Sequence, residues 1–472
     1  MSNRSSKAWI CSVCGYVHFG SRPPDECPVC GAEPELFEPD AGAASSPTAA
    51  TRAKPDLQTP QAIASEKGGV LRVLIAGAGI AGVSAAGSLR KSAPQAEIRL
   101  LSREPVLPYY RLKLTRYLAG EVGRDQLLLH PEAWYENQEI QLALSAEVHS
   151  VDLPGKRATT HDGAEHPFDK LILAVGSHAF VPPIPGADQE NVTVLRTMAE
   201  ADALLQAAQP GVRCVCIGGG ILGLEAAGAL EKRGVDVTLV ESYGWLLPRQ
   251  LNRRAGALLS SYVQSVGIAV RAKAQVHEIA GEGRASAVRL ADGQALPADL
   301  VVITAGVRSN SSLARQAGLK VNAGVVVDDL LQASHPDVYA VGDAAEHRGV
   351  TYGLWGPAQY QGTIAGMNAA GGQVEFAGIP RSNTLKVLGF DMYSIGQVSQ
   401  EDGSYLHVEE ERDGIYHSLL FHDNHLVGAI LLGDTAASAA VKRAIENRLS
   451  CSGLLHRQPT AGDVLDFLRK AV

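Results

Sequence analysis

No stretch of this 472-residue chain approaches the ~18 consecutive apolar residues that a membrane span needs. Met1 to Trp9 also lacks the apolar core of a secretory signal. The expectation is a cytoplasmic protein in a reducing compartment, where cysteines remain thiols or metal ligands rather than pairing. Lys and Arg form no block, and 42 of them against 50 Asp and Glu leave a net charge of −8. That balance disfavours nucleic acid and anionic membrane surfaces as partners. Aromatic residues make up only 5% of the chain while glycine reaches 49 residues, a bias that suits α/β domains built around glycine loops. Cysteine is scarce too, at seven residues, and four of these crowd near the N-terminus.

Those four stand in Cys11-Ser-Val-Cys14-Gly15 and Cys27-Pro-Val-Cys30-Gly31. Each Cys-x-x-Cys knuckle can turn two sulfurs toward one centre, and two knuckles make a tetrahedral four-sulfur cage. Iron and zinc both suit such a cage, so the sequence predicts one metal ion and leaves a zinc ribbon open beside the iron reading. The twelve-residue gap, with Trp9, Tyr16 and Phe37 around it, resembles the short rubredoxin-like domain that ends rubrerythrins. The other three cysteines have no such pattern. Cys214 and Cys216 alternate in an apolar strand and are expected to share a face as small core residues, and Cys451 stands alone.

The length allows about three domains of ~150 residues. From Asp40 to Gly69 the chain is rich in Ala, Ser, Pro and Gly without apolar periodicity, which reads as a linker. A flexible segment of that length spans about 30 Å on average. It would hold the metal module at an effective concentration in the millimolar range, free to reach and leave a site on the same chain.

Two strand–glycine–helix units follow. Val70 to Ile75 runs into Gly77-Ala-Gly79-Ile-Ala-Gly82, and Val212 to Ile217 runs into Gly218-Gly-Gly220-Ile-Leu-Gly223. Glycine lets the backbone approach a pyrophosphate, and the helix start supplies amide donors. The second unit continues into Val235 to Val240 and ends at Glu241, placed to accept from adenosine ribose hydroxyls. Ser242 and Tyr243 offer no cation for a 2′-phosphate, which favours NADH over NADPH. In the first unit Ser102 stands where the acid is expected, with Glu104 two residues later. Three readings stay open there: Glu104 on a shifted turn, Ser102 on the ribose, or Glu104 as a solvated loop charge.

These loops resemble the two-dinucleotide-domain flavoproteins, specifically their NADH:rubredoxin and ferredoxin reductase branches. Three further segments carry the resemblance: Leu173-Ala-Val-Gly176, Val338-Tyr-Ala-Val-Gly342-Asp343, and Leu107-Pro-Tyr-Tyr-Arg111-Leu-Lys-Leu-Thr-Arg116. It implies FAD on the first loop, with Asp343 on the ribitol and Arg111 beside the flavin, and NAD(H) on the second. It also implies that Arg116, where relatives carry lysine, pairs near the flavin with Glu225 and stabilises the reduced anion. Disulfide-reducing relatives carry a redox cysteine beside the flavin; from Gly77 to Thr115 this chain has none.

The fold class implied is α/β: two Rossmann-like dinucleotide-binding domains, a small N-terminal rubredoxin-like metal domain and a C-terminal α+β domain. The expected layout is the metal domain at 1–39, a flexible linker at 40–69 and an FAD-binding domain at 70–181 and 302–378. An NAD(H)-binding domain at 182–301 interrupts it, and the C-terminal domain spans 379–472. Such C-terminal domains shield the flavin or mediate dimers in relatives, so a homodimer belongs among the expectations. Trp355, just before it, either covers the flavin ring or fills core. His18, His417, His422 and His425 have no partner pattern and are expected at the surface or in loops.

Together these features predict an FAD-dependent NADH:rubredoxin-type oxidoreductase with its acceptor module fused in front and a further protein acceptor downstream. Two alternatives stand beside it. One is a flavoprotein that reduces a separate ferredoxin, quinone, oxygen or nitrite-reducing partner and uses a zinc ribbon for docking. The other is a redox-sensing interaction protein.

Overall fold

The computed structural model describes residues 7–11, 17–20, 22–24, 34, 37–39, 69–379, 382–400 and 402–471. The side chains of 382–387, and those of the N-terminal strands other than Trp9 and Phe37, are outside that description. Cys14, Cys27 and Cys30, and the linker from 40 to 68, lie outside the described residues. Cys11 ends the strand Lys7–Cys11, the middle of a three-stranded antiparallel sheet with Val17–Gly20 and Phe37–Pro39.

The strand Arg72–Ala76 has four consecutive buried residues, Val73 to Ala76. A strand apolar on both faces belongs inside a parallel sheet covered by helices. It lies at the centre of five parallel strands, in the order Val338–Ala340, Lys170–Leu173, Arg72–Ala76, Glu97–Leu101, Ile140–Ala143. The edge strand Val338–Ala340 comes from far along the chain, so this unit is built from two separated segments. A second five-stranded parallel sheet repeats the plan, in the order Val192–Thr193, Leu300–Ile303, Arg213–Ile217, Asp236–Glu241, Ala269–Ala272. Its strand Leu300–Ile303 runs across the 301/302 boundary expected from the sequence. Each unit also carries a three-stranded antiparallel sheet, at 148–167 and 276–297. The crossings between the units are zipped by Ser177–Ala179 against Val307–Ser309.

Helix Ile80–Ser92 packs on helix Trp355–Ala369, and glycine makes the approach close. A Cβ at Gly362 would overlap the carbonyl of Ala81, and one at Gly366 that of Ala85. The first glycine loop is therefore braced from behind. The C-terminal part is an antiparallel sheet in the order Ser382–Val387, Phe390–Gly396, His425–Leu432, Ile415–His422, Leu406–Arg412, with helices Ser438–Glu446 and Ala461–Ala471 against it. The fold class is the one the sequence predicted. Among the described residues no helix is long and apolar enough to cross a membrane.

His417 is a correction: its ring is buried, with Nε2 3.0 Å from the carbonyl of Asp434. Alternation along Ile415–His422 breaks down because six consecutive residues of this central strand are buried, between a neighbouring strand on each side and helices. Cys214 and Cys216 do share a buried face, with sulfurs 3.9 Å apart. Contact with Cys216 and burial push the Cys214 thiol well above its ordinary value, and burial raises that of Cys451, which disfavours the reactive thiolate at both.

Candidate active site

Both glycine loops end their strands in a left-handed residue, Gly77 at φ +109° and Gly218 at φ +119°. A side chain there would strike the carbonyl of Ala174 in one case and of Thr304 in the other. Gly79 and Gly220 cap the helices Ile80–Ser92 and Ile221–Glu231 without any side-chain hydrogen bond, and neither helix has an acid in its first turn. Space beside both caps is open to 4 Å. Two other helices are closed by their own side chains: Thr197 and Glu200 form a capping box on Met198–Ala207, and Asn252 caps Arg253–Ser265. The two glycine-capped starts therefore present free amide donors and the positive helix end to an anion. Two pyrophosphates fit this arrangement.

Glu241 is buried at the end of its strand. Its Oε2 accepts from the Gly219 N–H at 2.8 Å, and Oε1 accepts from the Tyr243 N–H at 2.7 Å and the Ser242 hydroxyl at 3.2 Å. A carboxylate has about four acceptor positions. Three are used to hold the loop and the following turn, and the remainder is available to a ribose hydroxyl.

In the first unit Glu104 is not a solvated loop charge: its side chain is 17% exposed and accepts from Arg111 Nη2 at 2.6 Å and the Tyr109 hydroxyl at 2.7 Å. Burial pushes this carboxyl up, but the Arg111 charge and the hydrogen bonds from Arg111 and Tyr109 outweigh it and hold the group below its ordinary value. Ser102 is buried and donates to the Glu104 carbonyl at 3.2 Å. Arg111 also donates to the carbonyl of Arg196.

Arg196 was not singled out from the sequence, and it reaches the centre of the site. Its Nη2 lies 2.8 Å from Asp343 Oδ2 and 2.7 Å from Ser177 Oγ, and Ser177 Oγ donates to the same Asp343 oxygen at 2.7 Å. The Thr197-x-x-Glu200 spacing of a capping box stands beside it as a local signal, but the reach of the arginine has none. Gly342, at φ +69°, donates to Gln361 Oε1 at 2.8 Å. Gln361 is fully buried, and its Nε2 has no partner among the described residues, an orphaned donor next to Asp343 that suits a polar ligand. Gly176, at φ +67°, lies at the crossing, where Asn310 N–H donates to its carbonyl at 2.9 Å.

Arg116 and Glu225 line one small cavity of about 70 Å³ together with Thr115, Glu121, Lys232 and Leu388. The expected ion pair between them is not formed. Arg116 Nε pairs with Glu121 at 3.2 Å, and Glu225 Oε2 accepts from Thr115 Oγ1 at 3.1 Å. The reason is helical geometry: adjacent residues point about 100° apart. On Leu114–Leu118 the buried Thr115 faces Glu225, and Arg116 turns toward the rim. Burial pushes the Glu225 carboxyl up to about 7, against a lowering effect from Thr115. Trp355 stacks on Tyr110 with ring centres 5.5 Å apart, and its Nε1 is buried with no partner among the described residues.

The pyridine nucleotide-disulphide oxidoreductase family matches residues 71–362. The rubredoxin NAD+ reductase C-terminal domain matches 382–449, and the rubrerythrin rubredoxin-like domain matches 9–38. The chain is 36% identical over 371 residues to a nitrite reductase (NAD(P)H) of Bacillus subtilis, covering 78% of this chain and 46% of that protein. It is 34% identical over 285 residues to a rubredoxin-NAD(+) reductase of Pseudomonas putida, covering 60% and 74%. The chain thus spans about half the length of the nitrite reductase it matches. Among solved structures, the covalent putidaredoxin reductase–putidaredoxin complex superposes with a TM-score of 0.78 at 26% identity, over 85% of this chain and 98% of that one.

Proposed function

The chain belongs to the pyridine nucleotide-disulphide oxidoreductase family, and from that premise we propose that it is a cytoplasmic FAD-dependent NAD(P)H oxidoreductase. In this reading NADH is the donor, the fused four-cysteine module is the acceptor, and a further redox protein is served downstream. The observation that carries it is the pair of uncapped glycine-loop helices on one chain with a rubredoxin-like segment at 9–38.

Gly77, Gly79 and Gly82, with Gly176, Gly342, Asp343 and Arg196, would hold FAD; Arg111 would stand beside the flavin, and Glu104, which it pairs with, would face the adenosine ribose. Gly218, Gly220, Gly223 and Glu241 would hold NADH. Cys11, Cys14, Cys27 and Cys30 would hold one iron, since four thiolates suit it; zinc satisfies the same donors. Bound FAD supplies a group that takes an electron pair with a hydride and releases electrons one at a time. Glu225, half-buried and poised near neutrality, can hold or give up a proton at its open carboxylate oxygen while Thr115 fixes the other. Arg116, Glu121 and Lys232 close the rim of that cavity with charge.

The likeness to a nitrite reductase supports a second reading: electrons go to a separate partner, and the cysteine module is a zinc-holding docking ribbon. Anaerobic NADH titration of iron-replete protein, with iron, zinc and FAD quantified, separates the two. Bleaching of both flavin and an iron–thiolate band, with a capacity of about three electrons per chain (two for flavin, one for iron), supports the first. Bleaching of flavin alone over a zinc-filled cage supports the second. A flavin that NADH does not reduce sinks both.

A further inference from the structure

We propose that Tyr243, braced by Trp245, is the platform on which the adenine ring of NADH stacks. The inference rests on the assignment of NADH to the Gly218 loop and deepens it. A dinucleotide with its pyrophosphate at the start of helix Ile221–Glu231 and its adenosine ribose at Glu241 must carry its adenine past the end of the strand Asp236–Glu241. The residues met there are Ser242, Tyr243 and Gly244.

Tyr243 is 60% exposed in a chain with few aromatic residues. Its backbone is tied at both ends and its ring meets a second aromatic, which leaves the other face open. Its N–H donates to Glu241 Oε1 at 2.7 Å, and its carbonyl accepts from the Lys273 N–H at 2.6 Å. Its ring meets the Trp245 ring edge-on, with centres 6.3 Å apart and planes at 75°. Trp245 is itself fixed: Nε1 donates to the carbonyl of Leu251 at 3.0 Å, and the indole packs so tightly on Gly256 that a Cβ there would overlap it. The turn is tied back to the glycine loop through Leu247 N–H and the carbonyl of Gly219, 3.1 Å apart.

One carboxylate therefore sets three things at once: the loop at Gly219, the ribose position, and the start of the aromatic ledge. The backbone under the ring and the Trp245 indole beside it are fixed before ligand arrives, which lowers the ordering cost of stacking. Tyr243 is a positioning residue. It acts on the adenosine half of the coenzyme and leaves the reacting nicotinamide untouched.

The test is rapid-mixing reduction of the FAD-loaded full chain by two donors: NADH, and reduced nicotinamide mononucleotide, which has no adenosine. Base–aromatic stacking predicts that Tyr243→Ala raises the half-saturating NADH concentration by roughly five- to a hundredfold, with the limiting rate unchanged. Tyr243→Phe, which keeps the π face, stays within about twofold of the parent. The mononucleotide behaves alike with all three proteins. An alanine variant with unchanged NADH half-saturation overturns the assignment, as does one that loses mononucleotide activity in equal measure. A shift seen only in the half-saturation of a protein acceptor also overturns it and makes the ledge a partner contact. Reduction of the parent by neither donor defeats the coenzyme assignment of the Gly218 loop itself.

Discussion

The Thr115 hydroxyl donates to Glu225 Oε2 across 3.1 Å, joining helix Leu114–Leu118 to the second glycine-loop helix. The residue that the sequence favours as the partner of Glu225, Arg116, instead completes an ion triad at the rim: Arg116–Glu121 at 3.2 Å and Lys232–Glu121 at 2.5 Å. Charge compensation is thereby kept off Glu225. A half-buried carboxyl without a cation favours its protonated form.

This has a pH signature. Glu225 is raised to about 7 in the fold from an ordinary 4.5, so between those values the folded state holds a proton that the unfolded chain has released. Its contribution to stability is complete below about 4.5 and is lost as pH rises through about 7. Glu225→Gln, which mimics the protonated form, should gain stability relative to the parent over that interval, by on the order of 1–3 kcal/mol after solvent screening. Urea denaturation of both proteins at pH 5 and pH 8 checks it; a difference that does not change with pH rejects the raised carboxyl.

Cys27→Ser should leave reduction of FAD by NADH nearly intact while abolishing transfer to one-electron protein acceptors. The cage loses one of its four thiolates, and the dinucleotide loops are covalently remote from it. Unchanged acceptor reduction would take the cage off the electron path.

Glu241→Ala removes the acceptor for three donors, Gly219, Ser242 and Tyr243. The half-saturating concentration of NADH should rise about tenfold or more, since charged hydrogen bonds of this kind contribute about 1.5–3 kcal/mol. FAD content should stay near that of the parent. Loss of FAD with NADH binding retained would mean that the two loops carry the opposite cofactors.

Asp343→Asn keeps the shape of the residue and takes away the charge that meets Arg196 at 2.8 Å. A partly buried guanidinium is left facing a neutral amide, which should cost about 1–3 kcal/mol of stability and lower FAD retention. Paired with Arg196→Met, the double variant should recover part of the stability loss without recovering FAD. Calorimetry and flavin content on the three proteins distinguish the outcomes; full FAD retention in Asp343→Asn would remove the residue from the cofactor site.

Local spacing carried much of this protein into view. The glycine loops, the strand before each and the acid at Glu241 were legible because each is a short-range pattern: a turn that only glycine can make, an apolar run that must be buried, a helix start without its own cap. The two Rossmann-like units and four strands of the C-terminal α+β domain were visible from apolar patterning and turn signals for the same reason, although the strand Leu406–Arg412, polar and at the sheet edge, was not. His417 defeated the pattern because a central strand buries both of its faces.

What the sequence by itself determined is the set of backbone shapes able to receive two pyrophosphates, since those depend on neighbours within a few residues. Only the tertiary structure decided which charges meet. Thr115 and Glu225 lie 110 positions apart, Arg196 and Asp343 lie 147 apart, and two folded units bring them together. A side chain's partner across such a distance depends on which way its helix is turned, and one position of rotation was enough to give Glu225 a threonine in place of an arginine.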